Sequence, residues 1–170
     1  VLAIKGKRVL VIDLDIRKGS LSRIIGRPKK GVTDLLIGRA QEEELLVKGI
    51  DGTPTFDAVG IGTVPPNPAE LLSSNKLDRF LSEYREYYDF IIIDSPPVEI
   101  VTDAKVINRL ADMTIFVVRA GLLEKDELPT IQEYYDTNRY RNMAILLNAT
   151  DIHSGYGYHY GYGHNYGYGN

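Results

Sequence analysis

Arg8-Val9-Leu10-Val11-Ile12-Asp13-Leu14-Asp15-Ile16-Arg17 is the stretch whose reading decides the fold. Val9 to Ile12 is an unbroken apolar run, the pattern of a strand buried on both faces rather than half-wetted. It stops on an acid, and a second acid follows at Asp15. Phe90-Ile91-Ile92-Ile93-Asp94 repeats the arrangement. Met113 to Val118 and Met143 to Leu147 are two further apolar runs, and Phe56 to Ile61 is a weaker fifth. Apolar residues at helical spacing lie between them, over Ala69 to Leu72, Lys76 to Tyr88, Asp103 to Leu110 and Asp126 to Asn138. Strands alternating with helices of this length predict an α/β fold, a mostly parallel sheet flanked by helices on both faces.

In open sheets of this kind ligands bind beyond the carboxyl ends of the strands. Asp13, Asp15 and Asp94 stand at or just past such ends. If the two strands are neighbours, the carboxylates converge on one crevice. Hard oxygen ligands of this kind suit Mg²⁺, which holds one or two carboxylates together with waters and substrate phosphates. One acid after an apolar strand would read as a turn cap. Two such segments favour a nucleotide–metal site.

The chain has 170 residues, enough for one ordinary domain with a real core. Its net charge of −3 gives no electrostatic footprint for nucleic acid. Cysteine is absent, which excludes disulfides and thiolate chemistry. No apolar run reaches membrane-spanning length. Val1 to Lys5 reads as the end of a helix closed by Gly6. The loop from Arg17 to Lys30 is basic and carries Gly19, Gly26 and Pro28, and Glu42-Glu43-Glu44 reads as a solvated helix start. A domain over residues 1–152 is followed by a tail over 153–170.

Six of the twelve tyrosines crowd into that tail: Tyr156, Tyr158, Tyr160, Tyr162, Tyr166 and Tyr168. Glycine separates most of them and loses the most backbone freedom on folding, so the tail is expected to be disordered and to display its hydroxyls. It reads as a substrate. His153, His159 and His164 are irregularly spaced without thiol partners, and metal binding there ranks low. Tyr84, Tyr87, Tyr88, Tyr134, Tyr135 and Tyr140 read as packing or surface residues.

Val9 to Arg17 resembles the Walker A′ motif of the bacterial tyrosine kinases, P-loop enzymes related to the MinD/ParA ATPases. Phe90-Ile91-Ile92-Ile93-Asp94-Ser95-Pro96-Pro97 resembles their Walker B strand and the loop after it. Pro65-Pro66-Asn67-Pro68-Ala69-Glu70-Leu71-Leu72 is similar to a segment typical of these kinases and not of the partition ATPases. Val101-Thr102-Asp103-Ala104 and Val117-Val118-Arg119 also fit, and the tyrosine-rich end resembles the family's autophosphorylation cluster. The resemblance covers essentially the whole chain.

The resemblance implies a MinD/ParA-like P-loop NTPase fold and a protein-tyrosine kinase that uses ATP and Mg²⁺. It implies trans-autophosphorylation of the tail within a ring-like oligomer of identical subunits, in control of capsular or exopolysaccharide synthesis and export. Further implied partners are a membrane polysaccharide co-polymerase, on the same or a separate chain, and a tyrosine phosphatase. The implied place is cytoplasmic, at the inner face of the bacterial plasma membrane. By the same resemblance Asp13 coordinates Mg²⁺ and activates the incoming tyrosine, Asp94 holds Mg²⁺ through water, and Asp15 completes the site. Arg17 pairs with Asp15 or contacts phosphate. Asn148 contacts adenine or ends its strand in a turn. Ser95, Pro96 and Pro97 shape the loop. Each phosphotyrosine adds about −1.5 to −2 charges, so six add roughly −9 to −12 and turn the tail into a release switch.

One departure stands against the family pattern. No glycine-rich loop ending in Lys-Ser or Lys-Thr, the Walker A cradle for phosphates, occurs in the sequence. In relatives that loop lies one helix before Walker A′. The expectation is therefore a chain cut before or within its first helix, binding ATP poorly alone. The alternatives are a MinD/ParA-like partition ATPase and a catalytically inactive interaction module.

Overall fold

Strand β1, Val9–Asp13, takes the middle place in a four-stranded sheet. It pairs in parallel with β3, Phe56–Val59, on one edge and with β4, Phe90–Asp94, on the other. The two-residue β2, Leu46–Val47, joins β3 antiparallel, giving the order β2-β3-β1-β4. A strand with neighbours on both edges and cover on both faces has no place for a polar side chain until it ends. That is why the run from Val9 to Ile12 is unbroken.

This computed structural model describes residues 1–64, 68–97 and 108–150. They fall into two units, Val1–Thr114, which holds this sheet, and Ile115–Asn170. Pro65-Pro66-Asn67, most of the helix expected over 103–110, the 152/153 boundary, the histidines and the tail tyrosines lie outside the described residues.

Among the described residues the first unit has helices α1, Ser20–Ile24; α2, Val32–Leu36; α3, Pro68–Leu72; and α4, Asn75–Tyr84. Helix α4 buries Leu77, Phe80, Leu81 and Tyr84, positions i, i+3, i+4 and i+7 of one face. They pack with Leu10, Ile12, Leu14, Val32, Leu36 and Val59 into one core. Burial stabilises by about 1.5–3 kcal/mol for each large apolar side chain. Beyond the helix Tyr88 stacks on Tyr84 with centroids 6.0 Å apart, and its hydroxyl donates to Asp57 at 2.6 Å. Burial and that carboxylate hold the Tyr88 hydroxyl firmly protonated, well above its ordinary range. Arg109 closes the unit with a two-pronged pair to Asp78.

The second unit contains β5, Ile115–Arg119, parallel to β6, Ala144–Asn148, and helix α5, Leu128–Asp136. Phe116, Tyr134 and Tyr140 form its aromatic centre, with centroids 5.6–6.4 Å apart. Arg139 lies over the Tyr134 ring at 4.5 Å. No helix among the described residues is long and apolar enough to cross a membrane.

The mostly parallel α/β sheet agrees with the sequence pattern, but several details differ. Helices α1 and α2 and strand β2 are additions. The helices are five residues long, too short for a helical period to register in a segment rich in Gly and cations. Glu42–Glu44 is a 3-10 turn, and Ala3–Lys5 is another, ended by Gly6 at φ 80°. The apolar run at β4 predicts burial on both faces, yet Phe90 and Ile92 remain 42% and 45% exposed. Asn148 is the last residue of β6 rather than a residue after it.

Candidate active site

The pairing register sets Asp13, at the end of β1, directly against Asp94, at the end of β4. Asp15 follows two residues on, 7% exposed. The three acids singled out in the sequence are therefore brought to one edge of one sheet. Their proximity has an electrostatic signature. The Asp94 carboxyl is held above the usual range, first by burial and then by the charges of Asp13 and Asp15.

Asp13 is fully buried and satisfied by its own neighbourhood. Its Oδ2 accepts hydrogen bonds from the Ser22 amide at 2.7 Å and the Ser22 hydroxyl at 2.6 Å. Its Oδ1 accepts from the Asp15 amide at 3.1 Å. Burying a carboxylate is costly unless its oxygens find donors, and three are supplied here. The Ser22 oxygen in turn accepts from the Ile61 amide at 2.9 Å. A hydrogen-bonded chain thus runs from the end of β1, through α1, to the loop after β3. Asp15 closes its own turn, with Oδ1 accepting from the Lys18 amide at 3.2 Å. Arg17 and Asp94 are exposed.

Ser22→Ala removes one donor from Asp13 and the acceptor of the Ile61 amide together. The expected loss is about 1–3 kcal/mol, read as a lowered urea midpoint with an unchanged slope. An unchanged midpoint would show that the chain carries no structural weight.

A second polar cluster fixes the loop before Pro65. Asp34 is buried, and its Oδ2 accepts from the Gly31 amide and the Thr63 amide, each at 3.0 Å. The Thr33 hydroxyl lies 2.5 Å from the Ile61 carbonyl and 2.6 Å from that of Thr63, so its single proton is shared between them. The amides of Val32 and Thr33 donate to the carbonyls of Gly60 and Ile61. Side-chain-free positions make the approach possible. A Cβ on Gly31 would stand 2.2 Å from the Gly60 carbonyl oxygen.

Among the described residues, no three carboxylate or imidazole groups close into a ready-made metal cage. Asp13 and Asp94 match the sparser donor set of Mg²⁺, which completes its shell with waters and phosphates. Asn148 belongs to the second unit, where it is exposed and its Oδ1 accepts from the Ala149 amide at 2.8 Å. Sequence reasoning missed Ser22 and the cluster of Gly31, Thr33 and Asp34. Nothing in its spacing from Asp13 marks Ser22. Gly31-x-x-Asp34 does carry the signal of an acid three residues into a helix.

No family model matches the chain. YwqD, a tyrosine-protein kinase of Bacillus subtilis, is 32% identical over 161 residues, which cover 93% of this chain and 67% of YwqD. The chain spans only 16% to 21% of the length of other curated relatives it matches. Among solved structures, the kinase domain of the Escherichia coli tyrosine kinase ETK superposes with a TM-score of 0.79 at 30% identity, over 95% of this chain and 63% of that one. The MinD cell division protein of Aquifex aeolicus superposes less well, with a TM-score of 0.63 at 25% identity over 88% and 60% of the two chains. The P-loop NTPase fold is common to both comparisons, and the sequence relative and the better-fitting structure are both kinases: the chain belongs to the bacterial tyrosine kinase family.

Proposed function

We propose that this chain carries the acidic half of the catalytic site of a protein-tyrosine kinase, and that its own Gly/Tyr-rich tail is the acceptor. The carrying observation is the register that sets Asp13 against Asp94, with Asp15 close enough to perturb Asp94. Clustered carboxylates at the carboxyl ends of parallel strands fit a hard divalent cation beside a nucleotide. Asp13 and Asp94 would hold Mg²⁺, with Asp15 beside them. When bound there, Mg²⁺ would offset the charge of the phosphoryl oxygens during transfer.

The chain's own residues supply position and a proton acceptor. Phosphoryl transfer asks mainly for placement, and Asp13 is fixed by three hydrogen bonds. A tyrosine hydroxyl has a pKa of about 10 and must lose its proton as the new O–P bond forms and the bond to ADP breaks. Asp13, held in place at the same edge, would assist the hydroxyl as it loses that proton. The phosphate cradle is not among these 170 residues. A complete site would need that cradle supplied from outside these residues.

The process served would be capsule or exopolysaccharide export. Proposed partners are identical subunits in a ring, a membrane polysaccharide co-polymerase and a tyrosine phosphatase, at the cytoplasmic face of the plasma membrane. Arg17, exposed two residues after Asp15, would contact phosphate. Incubating the full-length product with ATP and Mg²⁺ should give phosphotyrosine, and Asp94→Asn should lower it by about 100-fold or more. Undiminished labelling in Asp94→Asn would remove the site assignment.

A further inference from the structure

We propose that the cavity beside α1 binds a phosphorylated tyrosine side chain, one already modified in the tail of a second copy of this chain. The proposal rests on the kinase reading for the source of its ligand and on the cavity for everything else. The cavity has a volume of about 270 Å³ and is lined by Lys18, Arg23 and Arg27, with Pro28 and Ile61 among its apolar walls. No acidic residue lines it. Among the described residues none of these three cations joins an ion pair, and Arg23 donates to the Ser20 hydroxyl at 3.0 Å. Ser22, which lines the same cavity, is the residue that holds Asp13. The cavity is therefore one side chain away from the catalytic edge.

Arg27 adds a second, independent observation. Its φ is +54°, left-handed backbone at a non-glycine residue that also precedes a proline. Side chains disfavour that region, and a following proline restricts the backbone further. Neighbouring Gly26, at φ +88°, would take such a turn more easily. Strain of this kind persists where the surroundings impose it, and it clusters at ligand sites.

Three cations ask for an anion, and the walls narrow the choice. Guanidinium forks grip phosphate oxygens in pairs and stack on aromatic faces. Pro28 and Ile61 offer an apolar wall to a ring. The volume falls just below the roughly 300–1,000 Å³ typical of pockets for drug-sized ligands. A phenyl phosphate group suits it better than a whole nucleotide. At about −1.5 to −2 charges per phosphotyrosine, three cations match one or two modified tyrosines. A tail phosphorylated once would be held at the catalytic edge while its other tyrosines react. Further phosphates would exceed the cations available and favour release.

The test is calorimetric titration of the full-length protein without ATP, using phenyl phosphate, phenol and inorganic phosphate as probes. Saturable binding of phenyl phosphate is expected, with phenol silent and inorganic phosphate clearly weaker. Lys18→Gln and Arg27→Gly should each weaken phenyl phosphate by about tenfold or more. Arg27→Gly relieves the left-handed strain, so its melting temperature should stay level or rise while binding falls. No phenyl phosphate binding, or undiminished binding in both variants, would overturn the proposal. So would inorganic phosphate binding as tightly as phenyl phosphate, the mark of a general phosphate site. Because no ATP is present, failure here leaves the kinase reading intact, and failure of phosphoryl transfer leaves this one intact.

Discussion

Gly62→Ala is expected to lower stability by about 3–5 kcal/mol, a large share of the roughly 5–15 kcal/mol that holds an ordinary domain together. Two costs coincide at this position. Gly62 has φ +74°, and a Cβ built on it stands 2.0 Å from Asp34 Oδ2 and 2.4 Å from the Gly31 amide nitrogen. Left-handed backbone alone costs a side-chain-bearing residue about 1–2 kcal/mol. The clash forces Asp34 away from the Gly31 and Thr63 amides, leaving a buried carboxylate and two amides short of partners. Gly26→Ala isolates the backbone cost, since Gly26 has φ +88° and a Cβ added there would meet nothing within 4 Å. Urea unfolding followed by circular dichroism should give a far larger shift for Gly62→Ala than for Gly26→Ala. Equal shifts would show that the packing around Asp34 contributes little.

The second large effect is a split between two neighbouring aspartates. Asp13→Asn and Asp94→Asn should both abolish phosphoryl transfer, yet move stability in opposite directions. At Asp13 one amide must replace a carboxylate whose two oxygens accept three hydrogen bonds. If its oxygen faces Ser22, its NH₂ meets the Asp15 amide, donor against donor. The expected cost is about 1–3 kcal/mol. At Asp94 the substitution removes a charge that partial burial disfavours and that Asp13 and Asp15 oppose, so stability should rise. The sign follows from linkage. A carboxyl whose folded pKa is raised binds its proton more tightly in the folded state than in the unfolded state. Its contribution is fully present below the unfolded pKa and is lost as pH rises through the folded pKa. Asp94's contribution should therefore be lost over that acid-to-neutral window, and Asp94→Asn should lack that loss, so the wild-type chain falls relative to the variant as pH rises. Added Mg²⁺ should also reduce the slope. Melting curves from acid to neutral pH, with and without Mg²⁺, measure both effects. A steeper slope in Asp94→Asn would contradict the electrostatic account of the site.

The sheet and its acidic edge were legible because each rests on a strong local signal. An apolar run ending in Asp can be read without a partner, and two such runs predict strands whose ends come together. Asp13 against Asp94 fulfils that. What covers a strand is less legible. Phe90-Ile91-Ile92-Ile93 states what the strand can bury, and the exposure of Phe90 and Ile92 shows the difference. Ser22 was hidden for another reason. Its bond to Asp13 depends on how α1 folds back over nine residues, and no spacing rule encodes that turn. Arg27 shows the same limit, since a basic loop is visible in sequence but its left-handed turn before Pro28 is not. Asn148 falls inside its strand rather than one residue past it because apolar content marks strand ends only loosely, and a polar residue can make the final ladder pair, here with Arg119.

The claim most in need of a direct test is that one copy's carboxylates phosphorylate another copy's tail. Two full-length proteins should be mixed with ATP and Mg²⁺, one carrying Asp94→Asn with its tail intact, the other active but with its six tail tyrosines changed to Phe. Mass spectrometry should find phosphate between Tyr156 and Tyr168 of the Asp94→Asn copy, and no tail phosphate when both partners carry Asp94→Asn. Tail phosphate in that doubly substituted mixture, or none in the first, would contradict the account.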